Sequence, residues 1–144
     1  MIKKSYFKYS KYSFTRRSKK MKRIIETEHA PAAIGPYSQA VETTGTLYVS
    51  GQLPIDPETG EMKDSIEEQT AQSLKNVQAI VEAAGFTLKD VVKITVLLQN
   101  ISDFGAVNEV YAKYFNEECP ARACYQVAAL PKSALIEIEA IVAK

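Results

Sequence analysis

Arg122 stands in the run Pro120-Ala121-Arg122-Ala123-Cys124, one residue into a β-prone segment and just after a proline that fixes how the chain enters it. An arginine on so rigid a base presents a planar fork that holds a carboxylate through two parallel hydrogen bonds. The competing reading is an ion pair with Glu137 or Glu139 on a neighbouring strand. Glu137 lies mid-strand between apolar residues, where a carboxylate is either partnered or shifted in pKa; both states suit the positioning of water or the transfer of a proton. Glu139 shares its face by spacing, and an exposed sheet-face glutamate is the plainer alternative for either.

Other residues join this set with less specificity. Tyr37 follows Gly35-Pro36, a constrained turn that can aim a phenol into a cleft or simply pack the loop. Ser50-Gly51-Gln52 closes a strand, where Gly51 either lets a backbone N–H approach a ligand or marks a bulge. Asn108 falls beside the apolar stripe of a helix and reads as solvated unless another subunit covers it. Cys124 shares a strand face with Arg122 and reads as a small buried thiol, since the single histidine, His29, is far away in sequence. With one histidine and two cysteines in the chain, no zinc-type ligand set is expected, and a Ser-His or Cys-His nucleophile pair would have to use His29.

The elements that must position these residues are legible from the pattern. Strands are expected at Arg23 to Thr27, Gln39 to Thr43 and Thr46 to Ser50, with a tight turn at Thr44-Gly45 between the last two. Ser65 and Glu68 form an S-x-x-E cap ahead of a helix whose apolar face is Ile66, Thr70, Leu74, Val77, Val81 and Ala84; Gly85 ends it. Val91 to Leu98 reads as a strand, Ser102 as the cap of a second helix bearing Phe104, Val107, Tyr111 and Tyr114, and strands follow at Ala121 to Val127 and Leu135 to Val142. The order β-β-β-α-β-α-β-β, with each helix apolar on one side, predicts an α+β sheet with both helices on one face. In the last strand Ile136, Ile138, Ala140 and Val142 point one way, and Leu135, Glu137, Glu139 and Ile141 the other. A face that mixes apolar residues with carboxylates suits a subunit interface, so the chain is expected to oligomerise.

Charge divides the chain. Residues 1–20 carry eight Lys or Arg and no acid, whereas the remainder has 10 basic and 17 acidic residues, a net charge of −7. Residues 1–20 read as a disordered basic extension or the product of an upstream start codon, an organelle-targeting peptide being the lesser alternative, and 21–144 as one domain. The acidic domain argues against a nucleic-acid groove. No apolar run approaches the roughly 20 residues of a membrane helix. The sparse cysteines fit a reducing compartment, and the expected location is cytoplasmic.

Four runs together resemble the RidA (YjgF) family of reactive-intermediate deaminases, along essentially all of residues 21–144. They are Ala30-Pro31-Ala32-Ala33-Ile34-Gly35-Pro36-Tyr37-Ser38-Gln39, Ser50-Gly51-Gln52-Leu53-Pro54, Pro120-Ala121-Arg122-Ala123-Cys124 and Ile136-Glu137-Ile138-Glu139-Ala140. The resemblance implies a chorismate-mutase-like fold, a homotrimer with clefts between subunits, and hydrolysis of 2-imino acids to 2-oxo acids and ammonia. The imino acids would arise from enamines that pyridoxal-phosphate dehydratases release from serine and threonine. No cofactor or metal is implied. By position, Arg122 would hold the substrate carboxylate, the Cys124 backbone would meet the imine nitrogen, and Glu137 would orient water. Tyr37, Ser50, Gly51 and Asn108 would line the cleft. Ala123 departs from the serine that many relatives carry, and the basic extension has no counterpart in the family pattern. The same resemblance leaves two other readings, a non-catalytic 2-oxo-acid-binding or chaperone-like trimer and, less favoured, a translation-inhibiting ribonuclease.

Overall fold

The computed structural model describes residues 22–144; the basic segment 1–20 lies outside them. Six strands form one mixed sheet: β1 (Arg23–Ile25), β2 (Ala40–Thr43), β3 (Thr46–Gln52), β4 (Val91–Leu98), β5 (Ala121–Gln126) and β6 (Ile136–Ala143). Their spatial order is β1-β2-β3-β6-β4-β5. Only β4 and β5 run parallel, and the strand order puts β5 at an edge. Helices α1 (Ile66–Ala83) and α2 (Phe104–Tyr111) cover one face. No helix among the described residues is long and apolar enough to cross a membrane.

The expected helix signals operate as physics requires. The Ser65 hydroxyl accepts the Glu68 N–H and donates to the Glu68 carboxylate. At the other end Gly85 takes a left-handed conformation (φ 88°), which lets Phe86 N–H reach the Val81 carbonyl and Gly85 N–H the Glu82 carbonyl. The core lies between the helices and the alternate residues of the central strands. Leu47, Ile94, Val96, Leu98, Ile136, Ile138 and Val142 pack against Leu74, Val77, Ile80 and Val107, and all are buried. Each such side chain contributes about 1.5–3 kcal/mol by leaving water.

Several boundaries differ from the pattern, each for a visible reason. Strand β1 ends at Ile25 rather than Thr27 because the buried Gln39 side chain takes Thr27 out of the ladder, accepting its N–H at 2.7 Å and donating to its carbonyl at 3.0 Å. Strand β3 runs two residues past Ser50, to Gln52, through a register shift between Val49 and Gln52. The second helix is not capped by Ser102. Asn100 accepts the Ser102 N–H and starts a 3-10 turn at Ile101–Asp103, which α2 continues to Tyr111, leaving Tyr114 in the turn that follows.

The uncovered face of the sheet has the mixed character expected. Glu137, Glu139 and Ile141 of β6 lie beside Thr95 and Leu97 of β4, and Tyr48 pairs directly with Ile141. Tyr48 and Tyr125 are both about half exposed on this side, at 50% and 51%.

Candidate active site

Two separate clusters contain the residues singled out from the sequence. The first lines a cavity of about 840 Å³ and brings together Tyr37, Ser50, Gly51 and Glu137, with Glu139, Asp56 and Lys132 on its walls. The second is on the helix-covered side of edge strand β5 and holds Arg122, Cys124 and α2 with Asn108.

The first cluster depends on the β3 irregularity. Residues 50 and 51 fall in the register shift, and the Gln52 amide donates to the Ser50 carbonyl at 3.1 Å, satisfying a group the ladder leaves open. The bulge turns Gly51 towards β6. A Cβ on residue 51 would lie 2.8 Å from the Glu137 carboxyl carbon and would overlap its oxygen, so glycine is needed here for space. The Ser50 hydroxyl donates to the Ser38 carbonyl at 2.6 Å, tying the strand to the Tyr37 loop. Tyr37 is half exposed at the mouth; its N–H donates to the Gly35 carbonyl and its hydroxyl accepts the Ile34 N–H. Burial, then the neighbouring Glu139, pushes the Glu137 carboxyl above its ordinary pKa.

Three buried amides hold the walls, and none stood out as functional in the sequence. Gln39 donates to the Ala30 and Pro31 carbonyls as well as to Thr27. Asn76 of α1 donates to the Leu53 and Ile55 carbonyls at 3.0 and 2.9 Å. Gln69 accepts the Leu135 N–H and donates to the Lys63 carbonyl. In the sequence Gln69 and Asn76 lie beside the apolar stripe of α1, and only the structure shows them buried. Lys132 was also missed; it and Ser133 are consecutive non-glycine residues in the left-handed region (φ 55° and 57°).

In the second cluster, Arg122 and Cys124 share a face, as their spacing predicts; Arg122 pairs in register with Ile94 and Cys124 with Val96, both core residues, so that face is the helix side. Neither Glu137 nor Glu139 pairs with Arg122; both lie on the opposite face of the sheet. Among the described residues the ion pairs are Arg23 with Glu42 and Lys144 with Asp90, and Arg122 has none. Its guanidinium instead sits 4.6 Å from the Tyr111 ring centre and 5.4 Å from that of Phe104. Asn108, half-buried, lies beside the buried stripe of Val107, Val110 and Tyr111 on α2. Burial raises the pKa of the Cys124 thiol despite the opposing charge of Arg122.

The two clusters are too far apart to share a small substrate within one chain. Arg122 is level with Ala140, three residues along β6 from Glu137 and two strands away, a separation of about 10 Å in each direction, with the sheet itself between the side chains.

A family model described as Endoribonuclease L-PSP matches residues 27–144. Human 2-iminobutanoate/2-iminopropanoate deaminase is 52% identical over 122 residues, covering 84% of this chain and 89% of that protein. A RutC family protein of Pyrococcus horikoshii is 55% identical over 125 residues, covering 86% and 99%. Among solved structures, Escherichia coli TdcF with bound serine superposes with a TM-score of 0.83 at 46% identity, covering 85% of this chain and 98% of that one. The sheet order, the two helices on one face and these matches agree, and the chain belongs to the Endoribonuclease L-PSP family, also called RidA or YjgF.

Proposed function

We propose that the protein is a deaminase that hydrolyses 2-imino acids, such as 2-iminobutanoate and 2-iminopropanoate, to 2-oxo acids and ammonia, in a homotrimer whose clefts each join the Arg122 cluster of one copy to the Glu137 cavity of the next. The observation that carries this reading is the separation of the two clusters. An arginine fork without an acid partner among the described residues lies at a sheet edge, and a carboxylate raised in pKa lies in a cavity on the other face. A ring in which the β5 edge of one copy meets the mixed face of the next brings such groups together.

In this site Arg122 grips the substrate carboxylate and fixes the imine carbon, while the Cys124 backbone meets the imine nitrogen. Glu137 accepts a proton from water as the water oxygen bonds to that carbon, giving a tetrahedral carbinolamine. That proton passes to the nitrogen as the C=N π pair moves there; Glu137 then takes the carbinolamine's hydroxyl proton and delivers it to the same nitrogen as the C–N bond breaks, so that C=O forms and ammonia leaves. A base with a raised pKa takes the first proton more readily than an ordinary glutamate. Tyr37, Ser50, Gly51 and Asn108 shape the cleft. The substrate's source would be the enamines that pyridoxal-phosphate dehydratases release.

The ribonuclease in the family description is less well supported here. The only histidine, His29, is exposed and outside the cavity lining, and Asp56, Glu137 and Glu139 would repel a phosphate backbone. The deciding measurement is the decay of 2-iminobutanoate released in situ by a threonine dehydratase. Wild-type protein accelerates that decay and Arg122→Ala does not; a decay rate unchanged by wild type removes the enzyme reading.

A further inference from the structure

We propose that Tyr111 is the positioning residue for Arg122: its ring is a shelf that holds the guanidinium by its flat face and leaves the N–H edge free to grip a carboxylate. The inference rests on the reading of Arg122 as the carboxylate grip and adds the residue that makes the grip rigid.

A lone arginine at a strand edge has many rotamers, and each must be given up when it binds. The usual way to fix one is an acidic partner, but a carboxylate occupies the very fork a substrate needs. An aromatic ring avoids that conflict, because a cation is drawn to the ring face while its hydrogen atoms point outward in the plane of the guanidinium. Arg122 has this environment: 4.6 Å to the Tyr111 ring centre, 5.4 Å to Phe104, and no ion pair among the described residues. The shelf is itself fixed. Tyr111 ends α2, is 7% exposed, and packs its ring 4.9 Å from that of Phe115. Phe104, 39% exposed, forms the looser outer edge.

The Tyr111 hydroxyl is buried with no hydrogen-bond partner among the described residues. A buried donor left unpaired is a cost. What the fold uses at this position is therefore the ring, which separates Tyr111 from a tyrosine kept for hydrogen bonding or proton transfer.

The test compares 2-oxobutanoate binding, by calorimetric titration, in the wild type, Tyr111→Phe, Tyr111→Leu and Arg122→Ala, together with kcat for 2-iminobutanoate. Tyr111→Phe keeps the Kd within about twofold, whereas Tyr111→Leu weakens it about tenfold with a smaller change in kcat at saturation. If Arg122→Ala binds 2-oxobutanoate as the wild type does, the carboxylate-grip reading itself fails. If Arg122→Ala loses binding while Tyr111→Leu keeps it, or if Tyr111→Phe loses as much as Tyr111→Leu, the shelf alone is overturned. A second readout needs no folded leucine variant. The chain has four arginines, and the Arg122 side-chain NMR signal, assigned by its absence in Arg122→Lys, is shifted upfield by the ring in the wild type. A random-coil shift there overturns the proposal.

Discussion

The carboxylate of Glu137 fills the space in which a side chain on residue 51 would begin. A methyl group at Gly51 therefore acts on chemistry rather than on folding, by pushing the proposed base out of place. Gly51→Ala is expected to lower kcat by about 10²-fold or more, the range for loss of a general base, with an unchanged circular dichroism spectrum. Glu137→Gln falls in the same range. The double variant is no slower than the slower single one, because both remove the same function.

A site shared by two copies predicts complementation. Arg122→Ala and Glu137→Gln are each inactive alone, but unfolding and refolding them together restores some sites. Random mixing at equal amounts pairs an intact Arg122 with an intact Glu137 in one site of four, so about 25% of wild-type activity returns. Activity that stays at the level of the separate variants would place both groups in one chain.

Glu137 also sets a pH dependence. Its pKa in the folded chain is raised above 4.5 by burial and by Glu139. Catalysis needs the ionised form, so kcat/KM rises with pH through a value above the ordinary glutamate range. Stability runs the other way: a carboxyl whose folded pKa exceeds its unfolded pKa costs stability once pH climbs past the unfolded value. Glu137→Gln therefore melts at a higher temperature than wild type at pH 7, and the difference closes below pH 4.5. Parallel melting curves at both pH values would contradict the shift.

Gln39 is the structural prediction. Its buried amide serves Thr27, Ala30 and Pro31, four hydrogen bonds that anchor the loop leading to Tyr37. Gln39→Ala leaves several backbone groups without partners and is expected to cost about 3 kcal/mol in urea unfolding. Gln39→Glu gains little back, since a carboxylate cannot donate to three carbonyls.

Much of this arrangement was legible in the chain. The period of two in β6 separates Ile136 and Ile138 from Glu137 and Glu139, and the same period puts Arg122 with Cys124; the structure keeps both relations. Periodicity states which residues share a face but not which face of the sheet that is. The opposition of Arg122 and Glu137 comes from strand order, with β6 inserted between β3 and β4, and strand order is a long-range property. Gln39, Gln69 and Asn76 escaped notice because a buried amide has no local pattern. Its partners lie on loops that only the fold brings near.

The split between the two clusters also bears on gene dosage. If every working site needs two chains, activity follows the concentration of assembled protein rather than of chain. Near the dissociation constant of the assembly, halving expression would then lower activity more than twofold. A cell carrying one allele damaged at position 122 and another at position 137 would keep partial activity, while two copies of either allele would keep none.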